Sequence, residues 1–312
     1  MLILPAIKIK QILKKVLQTL GRNLVSTADF KDETSLLALG ALLSKQQYSM
    51  QSSQLNDYEF RIFSQFGDDG ILQYLIKNIA IKNDIFIEFG VENFLESNTR
   101  FLMMNNNCSG FVMDGSAKAM QSLVNQAWYW KFNLTQKAVF IDKDNINELL
   151  AEKGFSDIGL LHIDLDGNDY HIFNALDVSR LSPAIIIAEY NSVFGSERLI
   201  SVPYQQNFYR TNAHYSNLYA GASLPALNQV AQTKGYTLVG CNLAGNNAYF
   251  VKRELLTEKV KEVSLASAFR ESKFRESRNP DFTFSYLNGA ERLELIKGME
   301  VLNVATQQLE KI

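Results

Sequence analysis

Hydrophobic and polar positions change rhythm twice along the chain. Up to about residue 56 the apolar side chains recur at helical spacing, Leu36, Leu37, Leu39, Leu42 and Leu43 among them, which predicts a helical amino-terminal extension over 1–56. From 57 to 253, short runs rich in Ile, Val and Phe alternate with amphipathic stretches, the pattern of strand and helix units on a parallel sheet. Strands are predicted at 85–88, 110–113, 138–142, 159–163 and 184–189, and two more around Leu238 and Phe250. The short turn 244–247 joins those two as a hairpin, so the last strand runs antiparallel. The predicted fold class is therefore α/β, a Rossmann-like sheet. Beyond 253 charged helical patterning returns, most clearly over 289–312, which predicts a helical carboxy-terminal extension over 254–312 suited to packing or homo-oligomerisation. There are no internal repeats and no low-complexity stretches.

With 312 residues, 46% of them hydrophobic, the chain can bury one substantial core. A net charge of −2 gives no global attraction for nucleic acid, which is disfavoured as a partner. Cys108 and Cys241 are isolated, without a C-x-x-C pair, so neither a disulfide framework nor a zinc site is expected and a cytoplasmic setting is the default. No run approaches the roughly 20 apolar residues needed to span a bilayer. The first segment, 1–24, interleaves Lys8, Lys10, Lys14, Lys15 and Arg22 with Ile and Leu, and its lysines interrupt the apolar run too early for a signal peptide. Two readings of it stay open: an amphipathic helix peripheral at the inner membrane face, or a helix packed on its own domain or on a second copy.

The chemistry gathers at the ends of the predicted strands. IFIEFGVENFLESNT ends its strand on Glu88, followed at once by Gly90, and GFVMDGS ends the next on Asp114. A pyrophosphate turn needs glycines at G-x-G-x-x-G spacing, and here Glu92 and Phe94 fall where the second and third would stand. An acidic turn repels phosphate and attracts a cation. S-adenosylmethionine, with a sulfonium, an ammonium, a ribose and no phosphate, fits such a turn. The alternative for Asp114 is a helix cap, since Gly115 and Ser116 follow.

LLHIDLDGNDYHIF places Asp164, Asp166 and Asp169 after the fourth strand, and IIIAEYN places Glu189 and Asn191 at the end of the fifth. Carboxyl ends of neighbouring strands share one crevice, so these oxygens are expected to converge. Asp164, Asp166, Glu189 and Asn191 suit a hard divalent ion, Mg²⁺ or Mn²⁺. The competing account is that Asp166 and Asn168 shape the turn while Asp169 caps the next helix. Asp164, His162 and His214 are the candidate bases, with His162 expected to be structural. The polar, aromatic segment 202–221, with Tyr204, Tyr209, Arg210, His214, Tyr215 and Tyr219, is where an acceptor would be recognised, Arg210 offering an anion site.

Read in order, SQFGDDGIL, IEFGVENFLESNTRFL, FVMDGS, LLHIDLDGNDYHIFNAL, PAIIIAEYN and NNAYFVKREL resemble the FkbM-type group of class I S-adenosylmethionine-dependent methyltransferases, over roughly residues 60–255. The resemblance implies the class I methyltransferase sheet with its antiparallel last strand, and O-methyl transfer to a sugar or glycan hydroxyl, often in a surface polysaccharide pathway. It implies that Glu88 and Gly90 form the turn beneath the methionine part of the cofactor and that Asp114 accepts the ribose hydroxyls. It further implies that Asp142 lies near the adenine amino group, with Gln65 and Asn98 near the amino acid end. Asp164 and Glu189 are similar in position to the metal-binding acids of the catechol O-methyltransferase kind, although Tyr190 stands where an Asn would follow and Asn191 is displaced by one. Two rival classes remain: a metal-dependent glycosyltransferase using Asp164-Leu165-Asp166 as a D-x-D motif, and a non-catalytic membrane-docking or interaction protein. A nicotinamide oxidoreductase lacks its glycine pattern.

Overall fold

The computed structural model describes residues 33–274 and 276–312. Five parallel strands come first: β1 (Asn83–Phe89), β2 (Ser109–Asp114), β3 (Leu134–Ala138), β4 (Ile158–Ile163) and β5 (Ile185–Glu189). After a short strand outside that sheet, β6 (Ile200–Ser201), the predicted hairpin follows as β7 (Tyr236–Cys241) and β8 (Asn247–Lys252). The order across the sheet is β3-β2-β1-β4-β5-β8-β7, and β8 pairs antiparallel with both β5 and β7. This is the class I methyltransferase sheet. The strand order reverses where β1 lies between β2 and β4, and at that switch the carboxyl ends of the strands open a crevice.

Successive strand residues point to opposite faces. Ile87, Phe111, Leu161 and Ile186 pack against helices Asp169–Ala175 and Leu224–Thr233. Phe86, Val112, Leu160 and Ile185 pack against helices Asp68–Asn78, Arg100–Asn106 and Ala117–Val124. Because neither face of a central strand meets water, its sequence reads as an unbroken apolar run. Glu88, His162 and Glu189 share the alternation of the second set, as does Asn247 with Tyr249 and Val251. Four polar side chains thus fall on one face of the sheet at its crevice end.

Two expectations are corrected. The third strand is Leu134–Ala138 and not 138–142, so Asp142 lies in a loop beyond it. β3 is a sheet edge and half exposed, so it needs little apolar character, whereas the apolar look of 138–142 comes from Ile141 packing into the core beside an exposed Phe140. The carboxy-terminal extension is not helical over 289–312. Beyond the helix Ala290–Leu295 it forms β9 (Glu300–Asn303) and β10 (Gln308–Lys311), which join β6 in a second sheet of order β10-β9-β6. That sheet closes a small core of Phe194, Ile200, Phe208, Leu218, Ile296 and Val301. At the other end, residues 33–46 are helical as expected, while the basic segment 1–24 lies outside the described residues. Among the described residues no helix is long and apolar enough to cross a membrane.

Candidate functional site

The crevice encloses about 1060 Å³ and receives residues from the ends of β1, β2, β4, β5 and β8. On its β1 side, Glu88 is 2% exposed and fully engaged. Its Oε1 accepts the Asn98 N–H (3.1 Å) and His162 Nδ1 (2.9 Å), while Oε2 accepts the hydroxyls of Ser97 (2.6 Å) and Thr99. Asn98 Nδ2 lies 3.3 Å from His162 Nε2, so Nε2 is the acceptor and Nδ1 carries the proton. Burial raises the Glu88 carboxyl, yet the His162, Ser97 and Thr99 hydrogen bonds outweigh it and hold the group below its ordinary value. Glu88 therefore shapes loop 97–99 and has no lone pair left for a ligand. Gly90 follows with φ +67°, and a Cβ there would meet the Asp164 carbonyl oxygen at 1.9 Å, so only glycine lets β1 and β4 approach this closely.

Asp114 leaves β2 at the crevice wall. Its Oδ2 accepts the Glu92 N–H (2.8 Å) and its Oδ1 the Ser116 N–H (2.7 Å). The cap of helix Ala117–Val124 is the neighbouring Ser116, whose hydroxyl accepts the Ala119 N–H. Each Asp114 oxygen has accepted one of these N–H groups and can accept another, so at the crevice wall the carboxylate could take a pair of hydroxyl donors such as a ribose diol offers. Gln65 lines the same wall from loop 59–67.

The opposite wall is acidic. Oxygens of Asp164, Asp166 and Glu189 lie within 4.8 Å of one another. Asp169 shapes the turn that carries the first two: Oδ1 accepts the Leu165 N–H (2.8 Å) and Oδ2 the Gly167 N–H (2.9 Å), with Asp166 held at φ +53°. Burial, then the charges of Glu189 and Asp166, push the Asp164 carboxyl well above the ordinary carboxylate range. Burial and the charges of Asp166 and Asp169 raise Glu189 to about 8 against partial relief from Arg210. Arg210 donates through Nη1 to Asp166 (3.2 Å), through Nη2 to Glu276 and through Nε to the Asn217 carbonyl (2.7 Å). Its guanidinium is committed to carboxylates, so the anion site expected of it is not formed.

Three further expected residues are elsewhere. Asn191 accepts the Val193 N–H through Oδ1 and donates through Nδ2 to the Leu218 and Ala220 carbonyls, so its amide is occupied by backbone and does not join the carboxylates. His214 bonds Ser216 Oγ through Nδ1 (2.7 Å) and is not among the crevice-lining residues. Asp142 accepts the Asp144 and Asn145 N–H groups and the Gln206 amide, as a loop cap and not a crevice residue. His162, expected to be structural, is 3% exposed and held between Glu88 and Asn98, at a position that also borders the crevice. Sequence reasoning missed Asn246, Asn247 and Glu276, which also line it. For Asn247 a signal exists: it is the first residue of the antiparallel strand and pairs with Glu189, so hairpin register alone places it there.

No family model and no curated protein matches the chain. Among solved structures it is similar to an O-methyltransferase from Bacillus cereus in complex with SAH, at 15% identity and a TM-score of 0.39, covering 70% of this chain and 91% of that one. It is similar also to the N-terminal domain of EvdMO1 with SAH bound, at 11% identity and a TM-score of 0.39, covering 61% and 80%. A geranyl diphosphate methyltransferase in complex with SAM matches at 10% identity and a TM-score of 0.34, covering 55% of this chain; the chain spans 65% of that protein's length.

Proposed function

We propose that the protein is an S-adenosylmethionine-dependent O-methyltransferase acting on a sugar or glycan hydroxyl, within a surface polysaccharide pathway. The observation that carries this is the charge of the crevice. Even without Asp164 and Glu189, which burial makes harder to ionise, Glu88, Glu92, Glu96, Asp114, Asp166 and Glu276 among its described lining residues face only Lys118 and Arg210 as full-time cations. Such a cleft repels a diphosphate and favours a cationic nucleoside. Asp114 is assigned to the ribose hydroxyls, and the turn of Gly90 with Gln65 and Asn98 to the methionine end.

The acceptor hydroxyl oxygen attacks the sulfonium methyl carbon as the carbon–sulfur bond breaks, and the hydroxyl proton passes to Asp164. Holding the two reactants in line contributes about 7–11 kcal/mol. A carboxylate whose affinity for protons has been raised by burial is a better general base than an exposed one. The three neighbouring carboxylates also form a donor set that fits Mg²⁺ or Mn²⁺, which when bound would lower the pKa of the acceptor hydroxyl. Tyr209, exposed at the rim beside Phe140, offers a ring for a sugar to stack on. Calorimetric titration with S-adenosylhomocysteine, a uridine diphosphate sugar and NAD tests the assignment. S-adenosylhomocysteine is expected to bind at sub-millimolar concentration and the other two not; a nucleotide sugar binding in its place sinks it.

A further inference from the structure

The carboxylates of Asp164 and Glu189 are partly buried, and among the described residues no group donates a hydrogen bond to either. A third oxygen on this face is also unsatisfied. Asn247 is 3% exposed and its Oδ1 has no hydrogen-bond partner, although the residue lines the crevice. The orientation of that amide is fixed chemically. Its Nδ2 donates to Asp68 Oδ1 (2.9 Å), a carboxylate that also receives Asn242 Nδ2 (3.1 Å) and the Tyr249 hydroxyl. A carboxylate can only accept, so the NH₂ end must face Asp68 and the oxygen must face away from it. Asn247 is the cross-strand partner of Glu189, and partners in an antiparallel pair project from the same face. Asn247 therefore projects from the same face as Glu189, whose carboxylate lies within 4.8 Å of those of Asp164 and Asp166, so acceptors without a donor gather on one side of the crevice, an arrangement that calls for a cation or for shared protons.

We propose that Asp164, Asp166, Glu189 and the amide oxygen of Asn247 form a binding site for one divalent cation of the Mg²⁺ or Mn²⁺ class, with Asp68 as the positioning residue that turns the Asn247 oxygen toward it. Four oxygens, three from carboxylates and one neutral, make a hard donor set, open on the crevice side where an acceptor hydroxyl would complete the coordination. The ion's task rests on the methyl-transfer reading; its site stands on the donors alone. Asn247 takes the part that sequence position suggested for Asn191.

The test titrates the full-length protein with Mn²⁺, following loss of the free-ion electron paramagnetic resonance signal, with S-adenosylhomocysteine affinity measured calorimetrically on the same samples. The parent protein is expected to bind one Mn²⁺ per chain, displaced by Mg²⁺. Asn247→Leu should weaken binding about 10–100-fold, and Asn247→Asp, which keeps an oxygen and adds charge, should not weaken it. Asp68→Asn, able to turn its own NH₂ toward Asn247, should lower Mn²⁺ affinity about 10-fold or more while leaving S-adenosylhomocysteine affinity unchanged. The proposal is overturned if the parent binds no stoichiometric Mn²⁺, or if Asn247→Leu binds it as tightly as the parent. Should Asn247→Leu not fold, a loss of Mn²⁺ affinity in Asn247→Asp overturns it as well. Mn²⁺ binding in the stated pattern without S-adenosylhomocysteine binding leaves the cation site standing and removes the methyl-transfer reading.

Discussion

Glu88 and Asp164 sit at the same end of adjacent strands, yet burial acts on them in opposite ways. Glu88 has four donors and stays ionised below its ordinary range, whereas Asp164 has none and is pushed well above it by burial and by Glu189. A group in the first state is architecture; a group in the second is ready to take a proton. Replacing Asp164 with Asn should lower kcat by about 10²–10⁴ and leave S-adenosylhomocysteine affinity unchanged, the signature of a base outside the cofactor subsite. Asp114→Ala should act the other way round. Two hydrogen bonds to a charged group are worth about 3–6 kcal/mol together, so S-adenosylhomocysteine affinity is expected to fall at least about 100-fold. If the Asp164 variant also loses the nucleoside in calorimetry, the division of the crevice into two subsites is wrong.

At the scale of elements, what was legible followed burial. β1, β2, β4 and β5 are covered on both faces, which writes an apolar run into the sequence and made Glu88, Asp114 and Glu189 readable as strand ends. β3 at the edge and the β9–β10 hairpin on the surface carry no such mark, and there the patterns misled. Asn191 and Asn247 show the same limit for a side chain. Asn191 is next to Tyr190 in sequence but spends its amide on local backbone, while Asn247 arrives opposite Glu189 only through antiparallel pairing with a distant segment. Asp69, which ties loop 62–64 to helix Asp68–Asn78, yields a prediction that pattern alone would not. Burial raises it to about 6, with the Ser64, Ile62 and Phe63 amides only partly offsetting that. Since the folded pKa is raised, the folded state holds the proton more tightly than the unfolded chain. Stability is then fully present below the ordinary value near 3.8 and is lost as pH rises through about 6. Urea unfolding between pH 4 and 7 should show this slope, on the order of 3 kcal/mol in all, and Asp69→Asn should flatten it. An unchanged slope in that variant would assign the pH dependence elsewhere.

On the scale of the whole molecule the charge is nearly balanced, at −2 over 312 residues, but the crevice is not. With Asp164 and Glu189, which burial makes harder to ionise, set aside, its carboxylates outnumber its cations three to one, and one of the two cations, Arg210, is already paired with Asp166 and Glu276. A cleft of one sign within a low-dielectric body focuses its field outward and draws ligands of the opposite sign. S-adenosylmethionine carries one net positive charge, and S-adenosylhomocysteine, having lost the methyl, carries none. On the methyl-transfer reading, the field favours arrival of the cofactor over rebinding of the product. Stopped-flow association rates should separate the two when salt is raised from 0.01 M, where charges are felt over about 30 Å, to 0.15 M, where the range is about 8 Å. The rate for S-adenosylmethionine is expected to fall by roughly 10-fold while that for S-adenosylhomocysteine hardly changes. Equal salt slopes for the two ligands would mean that the acidic wall does not steer the cofactor, and that its charge serves only the acceptor side where Asp164 and Glu189 lie.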